Sequence, residues 1–505
     1  MAPLFLSVYN GQNIPLSKVP VLPAGEFRQA VLGAVEAGGR IISFFGNPSE
    51  ENVRLYILLA HDREGRIGVL SVDVKDRYPA LTPECPQAHW FEREIAEQWG
   101  VLPEGHPWLK PIRFHPPYRQ GKNGLDPFSE EKRLPSVTDF FQLKGDEIHE
   151  VAVGPVHAGI IEPGHFRFQC YGEHVFHLEI SLGYQHRGVE RALRAGPDKR
   201  TIHYMETLAG DTSIGHTTAY CETMEALMRC DAPIRAQALR GIALELERLA
   251  NHSGDLGALA NDIGYLPTAS YCGRIRGDFL NMTALICGNR FGRNFLRPGG
   301  AAFDLEDDLV AELSKRLKAA LRDVTVAVNL LWDTPSVLER LEGTGIVTRE
   351  IAQNLGLVGV AARACGIDRD VRFDFPSGIF RFSQIPVSSS PEGDVFARAY
   401  VRWMEIQRSM DFIQNQLRAF PDGQIFKATD AITPEAMAVS LAEGWRGEIC
   451  HVAMTDRHGK IAQYKITDPS FHNWMGLAMA LRDEQISNFP LCNKSFDLSY
   501  CGHDL

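Results

Sequence analysis

The chain has 505 residues, a formal net charge of −11, 44% hydrophobic residues and 23% charged residues. This length exceeds one ordinary hydrophobic core, so we expect roughly two to four domains. The acidic balance argues against a nucleic-acid-binding protein, which would carry a basic face. No apolar run approaches the roughly 20 residues that a membrane helix needs, so we expect neither a membrane span nor a signal peptide.

The first 115 residues predict a small α/β domain. Helical spacing runs from Glu26 to Ala37. Two β-rich runs, Val53 to His61 and Ile67 to Val74, flank the charged turn DREGR and indicate a hairpin. The segment AHWFEREIAEQWG then predicts a helix that ends at Gly100.

Residues 116–150 are rich in proline, glycine and charge, lack periodicity, and predict a linker. Beyond it, FRFQCYGEHVFHLEISLGYQHRG and EICHVAMTDRHGKIAQYKI each predict paired strands. The long helical stretches between them run from Thr201 to Cys230, Ala236 to Ile263, Arg274 to Phe291, Leu305 to Trp332 and Val395 to Leu417. The predicted fold class is α+β: a small N-terminal α/β domain (1–115), then a large, mainly helical bundle domain (151–505) flanked by small antiparallel sheets.

The ten cysteines are scattered along the chain, and no two of them have CxxC spacing. Zinc ribbons and iron–sulfur clusters are normally held by closely spaced cysteines. We therefore expect no such centre held by this chain alone, and interpret most of these residues as reduced, buried thiols.

Two regions carry a family resemblance in the expected order. The first, AHWFEREIAEQWGV followed by GHPWLKPI, is similar to the signature of the small hydrophilic subunit of complex I. Its helix has an apolar face formed by Trp90, Phe91, Ile95 and Trp99, with charged residues nearby. The resemblance implies a docking surface for a cluster-carrying subunit; the alternative is a packed helix with a solvated charged face.

The second region, GPVHAGIIEPGHFRF followed by GYQHRGVE, looks like the opening of the large subunit shared by complex I and the membrane-bound [NiFe] hydrogenases. Further matches are ELERLANHSGDLGALANDIG, LRPGG, ARACGIDRDVR, EGWRGEICH and LCNKSFDLSYCGHDL. Their shared order makes the chain resemble a large subunit of the formate hydrogenlyase type, fused to a domain like the small hydrophilic subunit.

The resemblance also predicts that the nickel ligands are missing. In the hydrogenases, two Cys-x-x-Cys pairs supply the soft thiolates that nickel and iron require. The stretch that matches the first pair is AGDTSIGH, with Ala209 and Thr212 at the ligand positions. For the second pair, within Asp-Pro-Cys-x-x-Cys, Cys492 lies close to a ligand position and Ser495 follows three residues later. We expect no metal and no nickel in this chain.

In complex I the equivalent cavity binds quinone, whose carbonyls accept hydrogen bonds from a histidine and a tyrosine. His157 and His165 both lie in the matching hairpin segment, and a two-residue length difference leaves open which of them faces the cavity. The tyrosine position is Gly210, and Tyr204 lies too early in the presumed helix to replace it without a different backbone. The resemblance thus implies quinone binding but departs from complex I at the tyrosine.

Other polar residues in the motifs are candidates for a proton path or the cavity wall. Glu162 matches the glutamate that passes protons to a metal-bound cysteine in hydrogenases. His216 and Arg446, with Tyr204, are predicted to line the cavity. Buried ion pairs are the alternative role for such charged groups. No residue supports NAD binding by this chain, and in complex I a different subunit binds NADH.

The leading hypothesis is an electron-transfer subunit of an ion-translocating, membrane-bound oxidoreductase related to complex I. Its expected partners are an iron–sulfur small subunit with a [4Fe-4S] cluster and membrane antiporter-like subunits. The expected location is the cytoplasmic face of the cell membrane, as a peripheral subunit, and the acceptor would be quinone or another molecule. The alternatives are a redox-inactive scaffold that transmits conformational change and, less favoured, an active [NiFe] hydrogenase.

Overall fold

The computed structural model describes residues 4–49, 51–119, 122, 124–125, 138–157 and 161–505. Part of the predicted linker, residues 120–121, 123 and 126–137, lies outside the described residues. Within these ranges, helices and small, mainly antiparallel sheets alternate as the α+β prediction requires, so the fold class is confirmed. In the same ranges, no helix has both the length and the apolar character needed to cross a bilayer.

The N-terminal part is built on a four-stranded antiparallel sheet with the order β1-β5-β4-β3. Its strands are β1 (Leu6–Val8), β3 (Arg40–Ser49), β4 (Asn52–His61) and β5 (Arg66–Val74). The helices α1 (Ala24–Glu36) and α2 (His89–Trp99) contribute their apolar faces to the core of this part. A short parallel pair joins β6 (Arg77–Pro79) to β7 (Leu102–Glu104). The predicted hairpin and both predicted helices are present here.

Two further sheets flank the helical body. One is three-stranded and consists of β8 (Ile148–Val153), β9 (His165–Tyr171) and β10 (His174–Ser181). The other has the order β15-β14-β13-β2, from β15 (Ile461–Thr467), β14 (Glu448–Thr455), β13 (Ala436–Glu443) and β2 (Asn13–Pro15). The N-terminal strand β2 thus extends a sheet formed by residues more than 400 positions later, which the sequence did not predict.

Long helices form the main core. They are α5 (Ser213–Met228), α6 (Ile234–Asp262), α7 (Leu266–Cys287), α8 (Asp307–Trp332) and α13 (Val395–Arg418). Short elements connect them: α3 (Val189–Ala192), α4 (Thr201–Met205), β11 (Leu296–Arg297), β12 (Gly300–Ala301), α9 (Pro335–Leu341), α10 (Arg349–Leu355), α11 (Gly359–Arg363) and α12 (Val371–Asp374). The chain closes with α14 (Pro469–Ala480), α15 (Phe489–Phe496) and α16 (Tyr500–His503). Helix α6 is buried along most of its length and packs against α7 and α13.

The prediction of one helix from Thr201 to Cys230 is wrong, because the chain breaks between α4 and α5. Thr212 has a non-helical backbone, and α5 begins at the next residue. The carboxylate of Glu247 on α6 accepts hydrogen bonds from the amides of Ile214 at 2.7 Å and Gly215 at 3.1 Å. Free N–H groups at a helix start need such acceptors. This acceptor comes from another helix, so local sequence did not reveal the break.

The charged residues of α2 are not solvated, so that interpretation of the helix is wrong. Glu92, Arg93, Glu94 and Glu97 are all buried. Glu92 accepts hydrogen bonds from the amides of residues 81 and 82, and Arg93 donates to the carbonyls of residues 110 and 111. The apolar face also packs within the chain, where the rings of Phe91 and Phe471 lie 4.9 Å apart. Helix α2 therefore joins the two parts of this chain.

Candidate functional site

The turn before α5 is held by charged residues from two other elements. Arg446, in the turn between β13 and β14, donates to both carboxylate oxygens of Asp211 at 2.6 and 2.8 Å, and to Thr212 Oγ1 at 3.3 Å. Its guanidinium also stacks on the Trp445 ring, with 3.9 Å to the centroid. Burial raises the pKa of Glu247, and the hydrogen bonds that it accepts from two backbone amides lower it. Burial has the larger effect, so the pKa rises to about 8.

His216, one turn into α5, belongs to a buried series of hydrogen bonds. Its Nε2 lies 3.0 Å from Asp468 Oδ2, and its Nδ1 lies 3.1 Å from His451 Nε2. His451 Nδ1 in turn lies 2.9 Å from the Tyr464 hydroxyl. Burial, with the neighbouring His216, lowers the pKa of His451 well below its usual value. The predicted cavity residue His216 is therefore part of a connected, titratable network.

The C-terminal segment meets this network beside Asp468. A Cβ atom built on Gly502 would lie 2.7 Å from Asp468 Cγ, so the segment packs directly on that carboxyl group. The adjacent Cys501 directs its backbone N–H toward Glu162 Oε2 at 3.5 Å. Burial raises the pKa of the Cys501 thiol to about 11, so the thiol is protonated near neutral pH. Glu162 and the C-terminal segment are thus brought together.

Residues 161–164, which directly precede β9, lie against the same segment. His157 Nε2 lies 2.9 Å from the Gly164 carbonyl oxygen. Gly164 itself packs on the Tyr500 ring, because an added Cβ would lie 2.6 Å from Tyr500 Cε1. Burial raises the pKa of Tyr500 to about 12. His157 and Tyr500 therefore both contact Gly164, and Glu162 lies next to Tyr500 at the Cys501 amide.

Two other predicted residues lie elsewhere. His165 is the first residue of β9, and its ring lies 5.2 Å from Phe140 with Arg167 Nε 3.3 Å from its Nε2. The next residue, Phe166, contacts Tyr500 instead. Successive strand side chains point to opposite faces, so His165 lies on the far face from the Tyr500 side. Tyr204, on the short helix α4, packs against the main hydrophobic core.

Cys492 and Ser495, which the sequence analysis places near the second ligand pair, lie in the helical body. Cys492 Sγ lies against Gly345, and Ser495 Oγ accepts from Arg398 Nε at 2.8 Å, in a cluster that braces α13. Starting the Asp-Pro-Cys-x-x-Cys pattern at Asp497 instead gives Ser499 and Gly502 at the ligand positions. This register fits the fold, because Gly502 contacts Asp468, which binds His216 one turn after the first pair.

The donor set at these positions is therefore Ala209, Thr212, Ser499 and Gly502. It offers a methyl group, two hydroxyls and a hydrogen atom where nickel and iron require thiolates. The Thr212 hydroxyl accepts from Trp445 Nε1 at 3.1 Å, and the Ser499 hydroxyl accepts from the Gly502 amide at 2.9 Å. These residues do not fit a nickel–iron centre, since both hydroxyls serve the local backbone and side chains.

Sequence reasoning missed Asp468, Tyr500 and Cys501. The signal for the last two was available, since Ser499 and Gly502 have the three-residue spacing of the cysteine pair that they replace. Asp468 follows β15 directly and caps α14 by accepting from the Ser470 amide at 2.8 Å. Its second role, binding His216 across the core, depends on tertiary packing that no local pattern reveals.

Comparison with known families agrees with the two-part architecture. Residues 40–136 match the model of the respiratory-chain NADH dehydrogenase 30 Kd subunit. Residues 262–440 match the model of the respiratory-chain NADH dehydrogenase 49 Kd subunit. The fold and the two matches together define an oxidoreductase subunit in which these two kinds of domain are fused.

Individual relatives extend the similarity over most of the chain. Formate hydrogenlyase subunit 5 of Escherichia coli K12 is 29% identical over 481 residues, 92% of this chain and 84% of the relative. The carbon monoxide-induced hydrogenase of Rhodospirillum rubrum is 30% identical over 353 residues, 69% of this chain and 97% of the relative. NADH-quinone oxidoreductase subunit 4 of Thermus thermophilus is 28% identical over 397 residues, 73% and 97% of the two chains. The chain belongs to this family of large subunits of complex I-like and hydrogenase-like oxidoreductase complexes.

Proposed function

We propose that this chain forms the electron-acceptor site of a membrane-bound, ion-translocating oxidoreductase and reduces quinone there. Electrons arrive from a [4Fe-4S] cluster in a partner iron–sulfur subunit. The observation that carries the proposal is that His157 contacts the Gly164 carbonyl, Gly164 packs on the Tyr500 ring, and Glu162 faces the amide of the next residue, Cys501. Tyr500 and Cys501 lie between Ser499 and Gly502, two of the positions where the family's metal thiolates are absent. Relatives from multisubunit complexes support the partner requirement.

The chemistry asks little of the protein beyond hydrogen bonds and protons. A quinone takes two electrons and two protons, and its two carbonyl groups become hydroxyl groups. His157 is our candidate donor to one carbonyl, since an imidazole can donate a hydrogen bond and pass a proton. Tyr500 is a hydroxyl-bearing side chain on the same side of β9, which makes it our candidate for the tyrosine missing at Gly210.

Glu162 is the proposed proton relay into this site. It lies beside Cys501 and close to Tyr500, whose pKa responds first to burial and also to the nearby glutamate. A carboxyl group in that position passes a proton by exchanging one hydrogen bond for another. Arg446 and His216 stand behind the site: Arg446 fixes the turn at Asp211, and His216 connects to Asp468.

We further propose that the chain holds no nickel and binds no resident cofactor by itself. The four family ligand positions offer no thiolate, which is the donor that low-valent nickel and iron need. In this proposal the membrane partners are antiporter-like subunits, and the chain lies peripherally on the cytoplasmic face of the membrane. Quinone is then a substrate that binds and leaves the acceptor site, not a resident cofactor.

A second candidate function is a redox-inactive scaffold that couples its neighbours. The observation in its favour is the joint loss of the thiolates and of the tyrosine at Gly210. The scaffold needs the buried networks of Arg446 and His216 for rigidity but does not need His157 or Glu162. Variants of these two residues therefore separate the candidates.

The test uses the purified complex with its iron–sulfur partner. His157→Ala and Glu162→Gln are expected to lower quinone reduction by roughly tenfold or more, because each removes a proton or hydrogen-bond donor. His165→Ala is the matched control, since that ring lies on the opposite face of β9, and its rate is expected to stay within about twofold of wild type. Unchanged turnover in the first two variants favours the scaffold. Stoichiometric nickel in the complex would instead indicate a hydrogenase.

A further inference from the structure

A cleft opens to solvent at the opposite end of α5 from the acceptor site. It has a volume of about 320 Å³ and lies between α5, the start of α6 and the turn Gly378–Arg381. A second space of about 30 Å³, enough for a water molecule or two, shares lining residues with the cleft and is also lined by Leu441 and Glu443. Glu222 of α5 lines both spaces.

Glu222 differs from the other charged residues around this cleft. Its carboxylate accepts hydrogen bonds from Ser377 Oγ at 2.8 Å and Ser440 Oγ at 3.0 Å. The nearest guanidinium, Arg240, instead donates to both oxygens of Glu225 at 2.6 and 3.0 Å. Burial raises the pKa of Glu222, and the hydrogen bonds from the serines together with Arg240 only partly oppose this. Glu222 is therefore a carboxyl group whose hydrogen-bond partners are neutral hydroxyls, and it lines a cleft that is open to solvent.

From Glu222, polar side chains continue along the interface between α5 and the sheet. Ser440 on β13 lies directly opposite His451 on β14 in the strand register. Opposed residues in an antiparallel pair share one face, with Cβ atoms about 5 Å apart. Both side chains point toward α5, because Ser440 binds Glu222 and His451 binds His216.

The inner end of this series reaches the acceptor site. His216 lies 3.1 Å from His451 Nε2 on one side and 3.0 Å from Asp468 Oδ2 on the other. Asp468 packs on Gly502, next to the Cys501 amide that faces Glu162. Members of this series carry hydroxyl, imidazole or carboxyl groups, all of which accept and release protons.

We propose that Glu222, Ser440, His451, His216 and Asp468 form a proton-uptake route from the cleft to the acceptor site. Glu222 takes a proton from water in the cleft. His451 takes up a proton at Nδ1, which also lies 2.9 Å from the Tyr464 hydroxyl, and releases one from Nε2 to His216 Nδ1. His216 then releases a proton from Nε2 to Asp468, so the charge of each ring is restored after each transfer. This inference rests on the proposed function: two electrons from the partner's iron–sulfur cluster and two protons convert one quinone to one quinol, and the route supplies protons.

The test compares Glu222→Gln with Asp231→Asn in the intact complex. Gln keeps the size of Glu and can still bond both serine hydroxyls, which rotate to suit a donor or an acceptor. Asp231 is an exposed carboxylate on the rim of the same cleft and lies outside the series. We expect Glu222→Gln to lower quinone turnover about tenfold. Asp231→Asn is expected to match wild type.

A chemical rescue distinguishes proton transfer from structural damage. Because the cleft admits small molecules, sodium formate or azide is expected to restore most of the turnover of Glu222→Gln by carrying protons past the missing carboxyl group. Reduction of the partner's cluster by its upstream donor is expected to keep its wild-type rate in this variant. A second variant, Ser440→Ala, interrupts the series one step further in and is expected to slow turnover with less rescue.

The outcomes separate the route from the function on which it rests. If the wild-type complex turns over quinone and Glu222→Gln is as fast as Asp231→Asn, the route is wrong and the acceptor site stands. A loss of turnover without rescue by either weak acid also rejects the route, because it indicates a structural role for Glu222. If the wild-type complex reduces no quinone, the proposed function and the route both fail.

Discussion

The seam between the two parts of the chain and the acid pair Asp255 and Asp497 beside Arg446 both contain charged groups away from water, but these charges are balanced differently. At the seam, the Glu94 carboxylate accepts from Lys465 Nζ at 2.7 and 2.8 Å and also pairs with Arg113. Lys465 reaches Glu190 as well, at 3.0 Å. Burial opposes ionisation of Glu94, but Arg113 and Lys465 outweigh it and hold its pKa below the usual value.

Beside Arg446, two carboxyl groups share one environment. Asp497 is hydrogen-bonded to Asp255, and burial followed by that like charge raises the pKa of Asp497 to about 7, although Lys494 and Arg446 act in the opposite direction. Opposed charges at the seam fix one ionisation state and therefore hold domains together. The acid pair beside Arg446 instead raises the pKa of one member, so Asp497 titrates closer to neutral pH than Glu94 does at the seam.

Removing the buried cation of the seam is expected to cause the largest loss of stability. Lys465→Met keeps the length of the side chain but leaves Glu94 and Glu190 without their shared cation. Removing one partner of a buried ion pair costs about 3–5 kcal/mol, because a charge is left uncompensated. We expect a fall of that size in the free energy of unfolding, measured by urea denaturation.

The control for the Lys465 variant is a solvent-exposed ion pair of the same protein. Arg77 and Glu104 pair at 2.9 Å with side chains 68% and 46% exposed. Arg77→Met is expected to cost no more than about 1 kcal/mol. Equal losses from Lys465→Met and Arg77→Met would show that the seam does not depend on its buried charges.

The next effect is a pH dependence of opposite sign at the two regions. The folded-state pKa of Asp497 is raised from 3.8 to about 7, so the stability that its protonated form contributes is present in acid and lost as the pH rises through that range. Asp497→Asn mimics the protonated form and does not titrate. Relative to wild type, the variant should gain up to about 1.4 kcal/mol for each pH unit between roughly pH 4 and 7.

Glu94→Gln provides the opposite case. The folded-state pKa of Glu94 is lowered, so its contribution is present above the unfolded-state value and lost as the pH falls through the folded-state value. The deficit of this variant should therefore grow as the pH rises from acid toward neutral. Urea denaturation at several pH values gives both trends. Parallel trends in the two variants would remove the distinction between fixed and mobile charges.

The same comparison explains what the sequence could predict. Periodicity located α2, α6, α8 and α13 closely, because an apolar stripe needs only local spacing. Family motifs placed Glu162 and His157 in the loop that reaches the C-terminal segment. Both kinds of signal are carried by neighbouring residues in the chain.

Features that depend on distant partners were missed. The break before α5 is stabilised by Glu247. On α2, the buried Glu94 is paired with Lys465, which lies 371 positions later in the chain. The choice between His157 and His165 needed the strand face, which the two-residue length difference obscured. Such features follow from tertiary packing, so spacing alone does not contain them.

A partly exposed ion pair in the N-terminal sheet is expected to contribute least to stability. Arg54 on β4 and Asp73 on β5 are directly opposed, with two hydrogen bonds of 2.7 Å and side chains 30% and 33% exposed. The geometry is as good as at the seam, but water screens the charges, so a double-mutant cycle with Arg54→Ala and Asp73→Ala should give a coupling of only about 0.5–1 kcal/mol. That coupling should shrink further in 1 M salt, where the screening length falls to about 3 Å. A coupling of several kcal/mol that resists salt would mean that hydrogen-bond geometry, rather than burial, sets the strength of ion pairs in this protein. The difference between the seam and the acid pair beside Arg446 would then need another cause.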